Sequence, residues 1–476
     1  MNYEKILLVE PPMNILKSIE GKRVGLPIGI AYLGSYLREK GYDVFLLDAI
    51  VEGFEHETLL NRENNIVRFG LSFESISEKI KELKPDVVGV SSKFTPQWEN
   101  VKEILELTKG ISQDIITVVG GAHPMAEPVK SLSCSCLDYV ILGEGEVSLF
   151  NLIEYLNERH KIEDIDGIAY RRNGDVVVQQ KQHFILDLDS LPYPARDLLH
   201  IEKYYKFPAH GDKITERYAS LLSSRGCIAN CIFCSVRNLW GKDFRMRSAS
   251  NVLDEITLLT EKYEIKEIHF EDDNLTANKK RAYEIFNGII ERNLNIYWCL
   301  ANGIALYTLN EDLLEVMKKS GCYSLGLAIE SGSQEVLNKI IKKPLNLKKV
   351  KPLIKKIKEL QIRTSAFFII GFPGETKEQI YQTLNFASEI EVDYVVFYIA
   401  TPFPGTQLYE IALRENVLIS DNFDFSDLRW SKGNIITKEF TPEELEKIRV
   451  EYWQKINKII HMKGGPIKEN LPHDYD

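Results

Sequence analysis

The sequence predicts an α/β protein built from two successive strand–helix modules and a helical tail. A doubly wound parallel sheet is expected over residues 1–145, a connector over 146–215, a second strand–helix repeat over 216–410 and helices over 411–476. Three observations support this reading. In both long modules, short apolar runs bounded by turn residues alternate with stretches of helical periodicity, as in parallel sheets crossed by helices. At 476 residues and 44% apolar content the chain exceeds one hydrophobic core, so two or three domains are expected. Between the repeats, an Asn-Gly turn signal interrupts the alternation.

In the first module Lys5 to Val9 is an apolar run closed by Pro11-Pro12, and Ile28 to Leu37 is periodic and ends near Gly41. Strand runs follow at Val44 to Leu47, Val87 to Ser91, Ile115 to Val119 and Tyr139 to Leu142, with helices around Ile76 to Leu83 and Val101 to Leu107. Ligands bind such sheets outside the carboxyl ends of the strands, where the strand order reverses. Those ends read Glu10-Pro11-Pro12, Ser91-Ser92, Gly120-Gly121 and Gly143-Glu144-Gly145-Glu146. Glycines there allow close backbone approach to a ligand, although a strand-ending glycine is also an ordinary turn residue.

The connector holds a hairpin signal, Ile168 to Tyr170 and Val176 to Val178 flanking Asn173-Gly174, then an extended Pro-containing loop from Leu186 to Arg196. In the second repeat the strand candidates are Ala219 to Ser223, Ile265 to Phe270, Ile296 to Ala301, Ser324 to Ile329, Ser365 to Ile370 and Tyr394 to Ile399. Between them Val252, Ile256, Leu259 and Tyr263 mark one amphipathic helix face, and Thr376 with Gln379 forms a capping box. The tail reads as helical. Its aromatic residues, with Tyr409, Phe423, Trp430, Tyr452 and Trp453, are core or cap the second module.

Charge and composition narrow the function classes. A net charge of −10 argues against broad nucleic-acid or anionic-membrane binding, and no apolar run approaches the ~18 residues needed to span a bilayer. Seven irregularly spaced cysteines are too few for a disulfide framework. The amino terminus, with Glu4 and Glu10, reads as a strand rather than a signal peptide, so a soluble cytoplasmic protein is expected.

The most informative residues are Cys227, Cys231 and Cys234, spaced CxxxCxxC. Three thiolates can hold a [4Fe–4S] cluster and leave one iron open to a small molecule. The competing reading is zinc, which would need a fourth Cys or His; Cys134, Cys136, Cys299 and Cys322 lie far off in sequence. At these residues, with Phe233 directly before the last cysteine, the chain resembles the radical S-adenosylmethionine (SAM) enzymes. In that family the open iron chelates SAM, and an electron from the reduced cluster releases a 5′-deoxyadenosyl radical.

The resemblance implies a partial (β/α)6 TIM-like barrel for the second module, with chemistry at the strands' carboxyl ends. It assigns Cys227, Cys231 and Cys234 to the cluster, and Asp272 or Asp273 to the amino group of SAM. Glu330 and Ser331 fall where the family contacts ribose or carboxylate, and Gly371 in Ile370-Gly371-Phe372-Pro373-Gly374-Glu375 where backbone packs on adenine. Without the resemblance, the acids could simply favour helix starts. With its Gly-Gly and Gly-Glu-Gly-Glu strand ends, the first module resembles the cobalamin-binding branch of the same family. That makes Pro11, Ser91, Ser92, Gly120, Gly121, Gly143 and Glu144 candidate cobalamin contacts. The chain departs from many cobalamin domains in lacking an Asp-x-His-x-x-Gly string, and His123 before Pro124 reads as a loop histidine.

The implied activity is methyl transfer to an unactivated carbon or phosphorus of a small molecule, fed by an external donor such as ferredoxin or flavodoxin. A cobalamin-dependent cyclase, oxidase or rearrangement enzyme is the alternative, as is a cobalamin or cluster sensor without turnover. Cys299 and Cys322, near the third and fourth strands of the repeat, could quench a radical but read more simply as small buried apolar residues.

Overall fold

A computed structural model describes residues 3–17, 21–61, 66–211, 213–419 and 428–462. It divides into two compact units: residues up to His210 together with Asn238–Gly241, and Gly211–Arg237 together with the residues from Lys242 on.

The first unit is organised by seven strands: β1 (Lys5–Glu10), β2 (Asp43–Asp48), β3 (Val87–Ser91), β4 (Ile116–Gly120), β5 (Tyr139–Ile141), β6 (Ile168–Arg172) and β7 (Asp175–Gln179). Their order is β7-β6-β5-β4-β3-β1-β2. The five strands β2-β1-β3-β4-β5 are parallel and have the order reversal of a flavodoxin-like sheet between β1 and β3. Alternation within β1 shows why the strand runs are continuously apolar. Ile6 and Leu8 face the helices Ile28–Glu39 and Gly145–Leu156, while Leu7 and Val9 face Phe73–Leu83 and Trp98–Ile111. Both faces are covered, so neither can be polar.

Two features differ from the sequence reading. The hairpin expected in the connector is the edge of this sheet, because β6 pairs antiparallel with β5 and β7 with β6. Its Asn173-Gly174 turn has φ of 53° and 92°, the left-handed pair that a tight two-residue hairpin requires. A small antiparallel sheet of Met13–Leu16, Glu57–Asn61 and Ile66–Phe69 was not anticipated. Its short strands leave Leu59 and Leu60 exposed, so no regular alternation marks them.

The second unit carries six parallel strands in sequential order: β8 (Tyr218–Leu221), β9 (Glu267–Phe270), β10 (Tyr297–Ile304), β11 (Cys322–Glu330), β12 (Arg363–Ile370) and β13 (Tyr394–Ile399). β8 and β13 do not pair, so the barrel stays open. The helices Ala249–Lys262, Lys279–Glu291, Glu311–Lys319, Val350–Glu359 and Lys377–Glu389 return the chain between strands. Thr376 and Gln379 form the expected capping box. The last helix, Pro442–Met462, covers the free edge of β13. There the Asn457 amide accepts from Val395 N–H and donates to Val395 C=O, both at 2.9 Å, satisfying backbone groups that an open edge would expose.

The amino-terminal side of the barrel is filled by a buried polar network. Glu267 accepts from His269 Nε2 (2.7 Å) and Tyr323 hydroxyl (2.6 Å), and its other oxygen accepts from Ile214 and Thr215 N–H. Burial opposes charge on His269, but hydrogen bonds to Cys299 and Glu267 hold its pKa up at about 10. Cys299 is the third residue of β10 and Cys322 the first of β11, so both begin their strands, at the end opposite the carboxyl edge. In the tail, Trp453 is buried against Tyr394 and Trp430 is half-exposed beside Tyr398 and Phe403. Phe423 lies outside the described residues.

Candidate functional site

The cysteine loop leaves the carboxyl end of β8 and turns at Gly226, where φ is +92° and a Cβ would stand 2.7 Å from the Asp243 carbonyl oxygen. Within it, Cys234 N–H donates to Cys231 C=O (3.1 Å) and Ile232 N–H to Ile341 C=O (3.1 Å). The loop is held from its other side by Leu408 N–H on Ile232 C=O (2.8 Å) and by Gln407 on the Asn230 side chain (3.1 Å). All three thiols are free and half-buried. Burial pushes Cys231 up to about 11 and Cys234 up to about 12, so both are protonated until iron displaces the protons.

A zinc site would need a fourth Cys or His beside the three thiols. Among the described residues Glu267, His269 and Cys299 bring ligand atoms within 4.8 Å of one another, but they belong to the buried network at the amino-terminal side of the barrel.

Asp272 and Asp273, beyond β9, have separate tasks. Asp272 is completely buried and its oxygens accept from Ser223 N–H (3.1 Å), Ser223 hydroxyl (2.7 Å) and Ser224 hydroxyl. Arg281 braces the same turn through Ser223 C=O (2.7 Å). Asp272 is therefore consumed in shaping the loop that starts the cysteine motif. Asp273 is bonded through one oxygen, to Gly226 N–H (3.2 Å), and burial with the Asp272 charge behind it pushes its carboxyl up to about 6. Its second oxygen is the available acceptor.

Glu330 and Ser331 divide similarly. Ser331 is fully buried and bonded to Thr383 (2.9 Å) and Ser333 N–H (3.1 Å), so its hydroxyl frames a turn. Glu330 sits at φ +71° after a register shift between β11 and β12, and one oxygen accepts from buried Lys343 (3.0 Å). A non-glycine residue in the left-handed region costs about 1–3 kcal/mol and marks a position the surroundings enforce. Lys343 follows the π-helical turn Val336–Ile341 and carries no sequence signal beyond a lysine-rich run.

Gly371 has φ +88°, and a Cβ there would meet Leu445 Cδ1 at 2.5 Å. Glycine is thus demanded by the backbone and by the last helix, whereas the sequence reading assigned it to ligand approach. Glu375, not singled out in sequence, is fully buried and accepts from Gly371 and Phe372 N–H (2.7 and 3.0 Å). Burial pushes it up to about 7. Phe233 meets Phe372 at 6.1 Å between ring centroids, joining the cysteine loop to this motif.

In the first unit, the candidates Pro11, Ser91, Ser92, Gly120 and Gly121 fall along the carboxyl edge of β1, β3 and β4. Ser91 is in register with Gly120, Ser92 N–H donates to Gly120 C=O (2.8 Å), and a Cβ on Gly121 would stand 2.5 Å from Ser92 C=O. A Cβ on Gly120 would make ordinary van der Waals contact with Ile141 Cβ at 3.8 Å, so a small side chain would not clash there. The buried Ser92 hydroxyl has no protein partner. At Gly143 and Glu144, a Cβ on Gly143 would meet Lys181 Cγ at 3.0 Å, and Glu144 accepts from Ile185 N–H (2.8 Å). They anchor the connector. His123 is buried against Trp98 (4.8 Å), and burial followed by the Lys130 charge lowers it to about 4, so it is neutral.

Residues 19–153 match the B12 binding domain family and residues 221–387 the radical SAM superfamily. The cytidylyl-2-hydroxyethylphosphonate methyltransferase of Streptomyces wedmorensis is 34% identical over 442 residues, covering 87% of this chain and 82% of that one. The chain belongs to the cobalamin-binding radical SAM enzymes. Another relative of this radical SAM enzyme, the anaerobic magnesium-protoporphyrin IX monomethyl ester cyclase of Rubrivivax gelatinosus, is 29% identical, covering 88% of this chain and 71% of that one. Its fold is shared with the radical SAM methyltransferase TsrM of Kitasatospora setae, solved with tryptophan and a SAM analog. The TM-score is 0.73 at 17% identity, covering 98% of this chain and 91% of that one.

The cofactors of this enzyme are a [4Fe–4S] cluster, SAM and cobalamin. The residues fit them. Three free thiols supply the cluster's donor set, and the buried, unpartnered Ser92 hydroxyl beside the Gly120-Gly121 backbone offers a polar group to a ligand at the sheet's carboxyl edge. Among the described residues no helix is long and apolar enough to cross a membrane.

Proposed function

We propose that the enzyme transfers a methyl group to an unactivated carbon or phosphorus atom of a small molecule. The observation that carries this reading is the 34% identity to a phosphonate methyltransferase over 87% of the chain, with both cofactor-binding modules inside the matched region.

When bound, the cluster and SAM supply a 5′-deoxyadenosyl radical and cobalamin supplies the methyl group. The chain's own residues do the rest. Cys227, Cys231 and Cys234 would hold the cluster through three thiolates, the donor count that leaves one iron for a small molecule. Asp273 offers its open oxygen to the ammonium of SAM, while Asp272 keeps the loop in place. Glu330, fixed by Lys343, offers an acceptor to a hydroxyl, and the Gly371-Phe372 backbone held by Glu375 flanks the adenine. Ser92, Gly120 and Gly121 line the cobalamin edge, with Pro11 next to it. Electrons come from an external donor of the ferredoxin or flavodoxin class, and the acidic chain works in the cytoplasm without nucleic acid.

The test is anaerobic reconstitution with iron, sulfide and hydroxocobalamin, followed by chromatography after adding reductant and SAM. Formation of 5′-deoxyadenosine with S-adenosylhomocysteine supports methyl transfer. The cyclase relative gives a second reading, and 5′-deoxyadenosine alone would favour it.

A further inference from the structure

The inner face of the barrel carries a run of aromatic rings that none of the cofactor roles above uses. Along β12 and β13 alternate residues point to opposite faces, and the buried set is the outer one. Phe368 meets Phe386 of the helix Lys377–Glu389 at 6.4 Å between ring centroids and Phe397 at 5.6 Å. Phe367 and Tyr398 therefore face the barrel interior, 6.1 Å apart, and both stay half-buried. The run continues past the strands' carboxyl ends, where Trp430 lies 6.3 Å from Tyr398 and 6.0 Å from Phe403 and keeps 48% of its surface exposed. In a complete barrel the interior is filled by bulky branched aliphatic side chains. Here a polar network fills the amino-terminal side, and these two strands present rings above it.

The neighbouring strands make room for the rings. A Cβ on Gly326 of β11 would stand 2.8 Å from Phe367 Cε2, and one on Gly303 of β10, at φ +99°, 3.5 Å from the same atom. Both strands give up a side chain so that the Phe367 ring lies against their backbone. Asn302, directly before Gly303, is exposed, and its Nδ2 donates to Glu271 Oε2 (2.8 Å). Glu271 Oε1 accepts from the buried Ser220 hydroxyl (3.0 Å), so the carboxylate is held at both ends and fixes the amide it holds. A side-chain amide has two donors and two acceptor sites, and this contact uses one donor. Rings that keep exposure beside one oriented polar group make the apolar lining and specific contact of a ligand site.

We propose that the substrate carries a flat conjugated ring, which stacks along Phe367, Tyr398 and Trp430 and turns a hydrogen-bonding edge group to the Asn302 amide. This deepens the methyl-transfer reading and rests on it for placing the chemistry at this end of the barrel. Ring faces and edges carry opposite partial charge, so a conjugated partner gains beyond the area it buries. A saturated ring of the same size is at least as hydrophobic and lacks that gain, which separates ring recognition from a general apolar pocket.

The experiment is anaerobic equilibrium dialysis of the full chain, reconstituted with cluster and hydroxocobalamin, with SAM present. The probes are naphthamide, its fully hydrogenated analogue and unsubstituted naphthalene; iron and cobalamin are counted first in every variant. Naphthamide should bind about tenfold more tightly than the hydrogenated analogue. Phe367→Leu and Trp430→Leu should each weaken naphthamide about three- to tenfold and leave the hydrogenated analogue unchanged. Asn302→Ala should weaken naphthamide but not naphthalene. Equal or tighter binding of the hydrogenated analogue overturns the proposal, as does absence of naphthamide binding to the loaded wild type. Unchanged naphthamide binding in cofactor-loaded Trp430→Leu does the same, even if Phe367→Leu fails to fold. Naphthamide displaced by added SAM would assign the rings to that cofactor and overturn it too. Unchanged naphthamide binding in Asn302→Ala overturns the edge contact. Dialysis needs no turnover, so failure of the methyl-transfer reading is seen separately, as 5′-deoxyadenosine formed without S-adenosylhomocysteine.

Discussion

The carboxyl edges of the two sheets solve different recognition problems. The barrel edge presents donor atoms: three thiols, the open oxygen of Asp273 and the clamped carboxylate of Glu330. The first sheet's edge presents backbone: Gly120, Gly121 and the main chain of Ser92 stacked within hydrogen-bonding distance. Metal and ammonium demand particular side-chain atoms, whereas a broad planar ligand demands mainly that side chains be absent. The two edges should therefore fail independently when each is damaged in its own currency.

The largest effect tests that independence directly. Cys231→Ala removes a ligand that nothing nearby replaces, so cluster iron and 5′-deoxyadenosine formation should be lost completely while hydroxocobalamin is still taken up. Loss of cobalamin uptake in the same variant would mean the edges are not separable. The reciprocal damage is Gly121→Val. Its φ of +117° and the 2.5 Å approach of a Cβ to Ser92 C=O should together cost about 4 kcal/mol. The expected result is a lowered urea midpoint and substoichiometric cobalamin with cluster iron retained. A variant that keeps full cobalamin would show that the backbone of this edge is not what holds it.

The same contrast explains what the sequence disclosed. CxxxCxxC is legible because three sulfurs on one loop must keep their spacing, and the strands of both sheets are legible because burial on both faces leaves unbroken apolar runs. Gly143 and Glu144 also contact the segment that follows, through Lys181 and Ile185, which a strand-ending Gly-Glu alone does not disclose. Asp272 and Asp273 could not be told apart, since only the folded chain shows Ser223 and Ser224 consuming one carboxylate. Lys343 was hidden because its partner lies thirteen positions earlier, across a π-helical turn. Glu375 was at least visible as an acid four residues beyond Gly371, the reach needed to accept from its own turn.

Glu375 gives the next largest effect and belongs wholly to the barrel edge. Burial raises its folded pKa to about 7 from an ordinary 4.5, so the folded state favours the protonated carboxyl. That contribution is present below pH 4.5 and is lost as pH rises through 7, a change of up to ~3 kcal/mol at 1.36 kcal/mol per unit. Glu375→Gln keeps an acceptor for Gly371 and Phe372 N–H but cannot ionise. Denaturation between pH 4.5 and 8 should show the wild type losing stability relative to the variant as pH rises. Parallel curves would mean that a partner neutralises the charge.

The smallest effect sharpens the comparison within one edge, between adjacent carboxylates. Asp273→Asn removes the charge from the group with an open oxygen while keeping an acceptor for Gly226 N–H, so SAM should bind about tenfold more weakly, ~1.4 kcal/mol, with iron content unchanged. Asp272→Asn sets an amide NH2 either against the Ser223 and Ser224 hydroxyls, which donate to one oxygen, or against Ser223 N–H, which donates to the other, and its effect should appear as lost thermal stability and lost cluster rather than as weaker SAM binding. Titration of reconstituted protein with SAM, followed by the cluster's spectral change, separates the two. If Asp272→Asn keeps its cluster and weakens SAM while Asp273→Asn does not, the cofactor-facing acid is the buried one, and the barrel edge would read its ligand through the Ser223–Ser224 turn rather than through an open side chain.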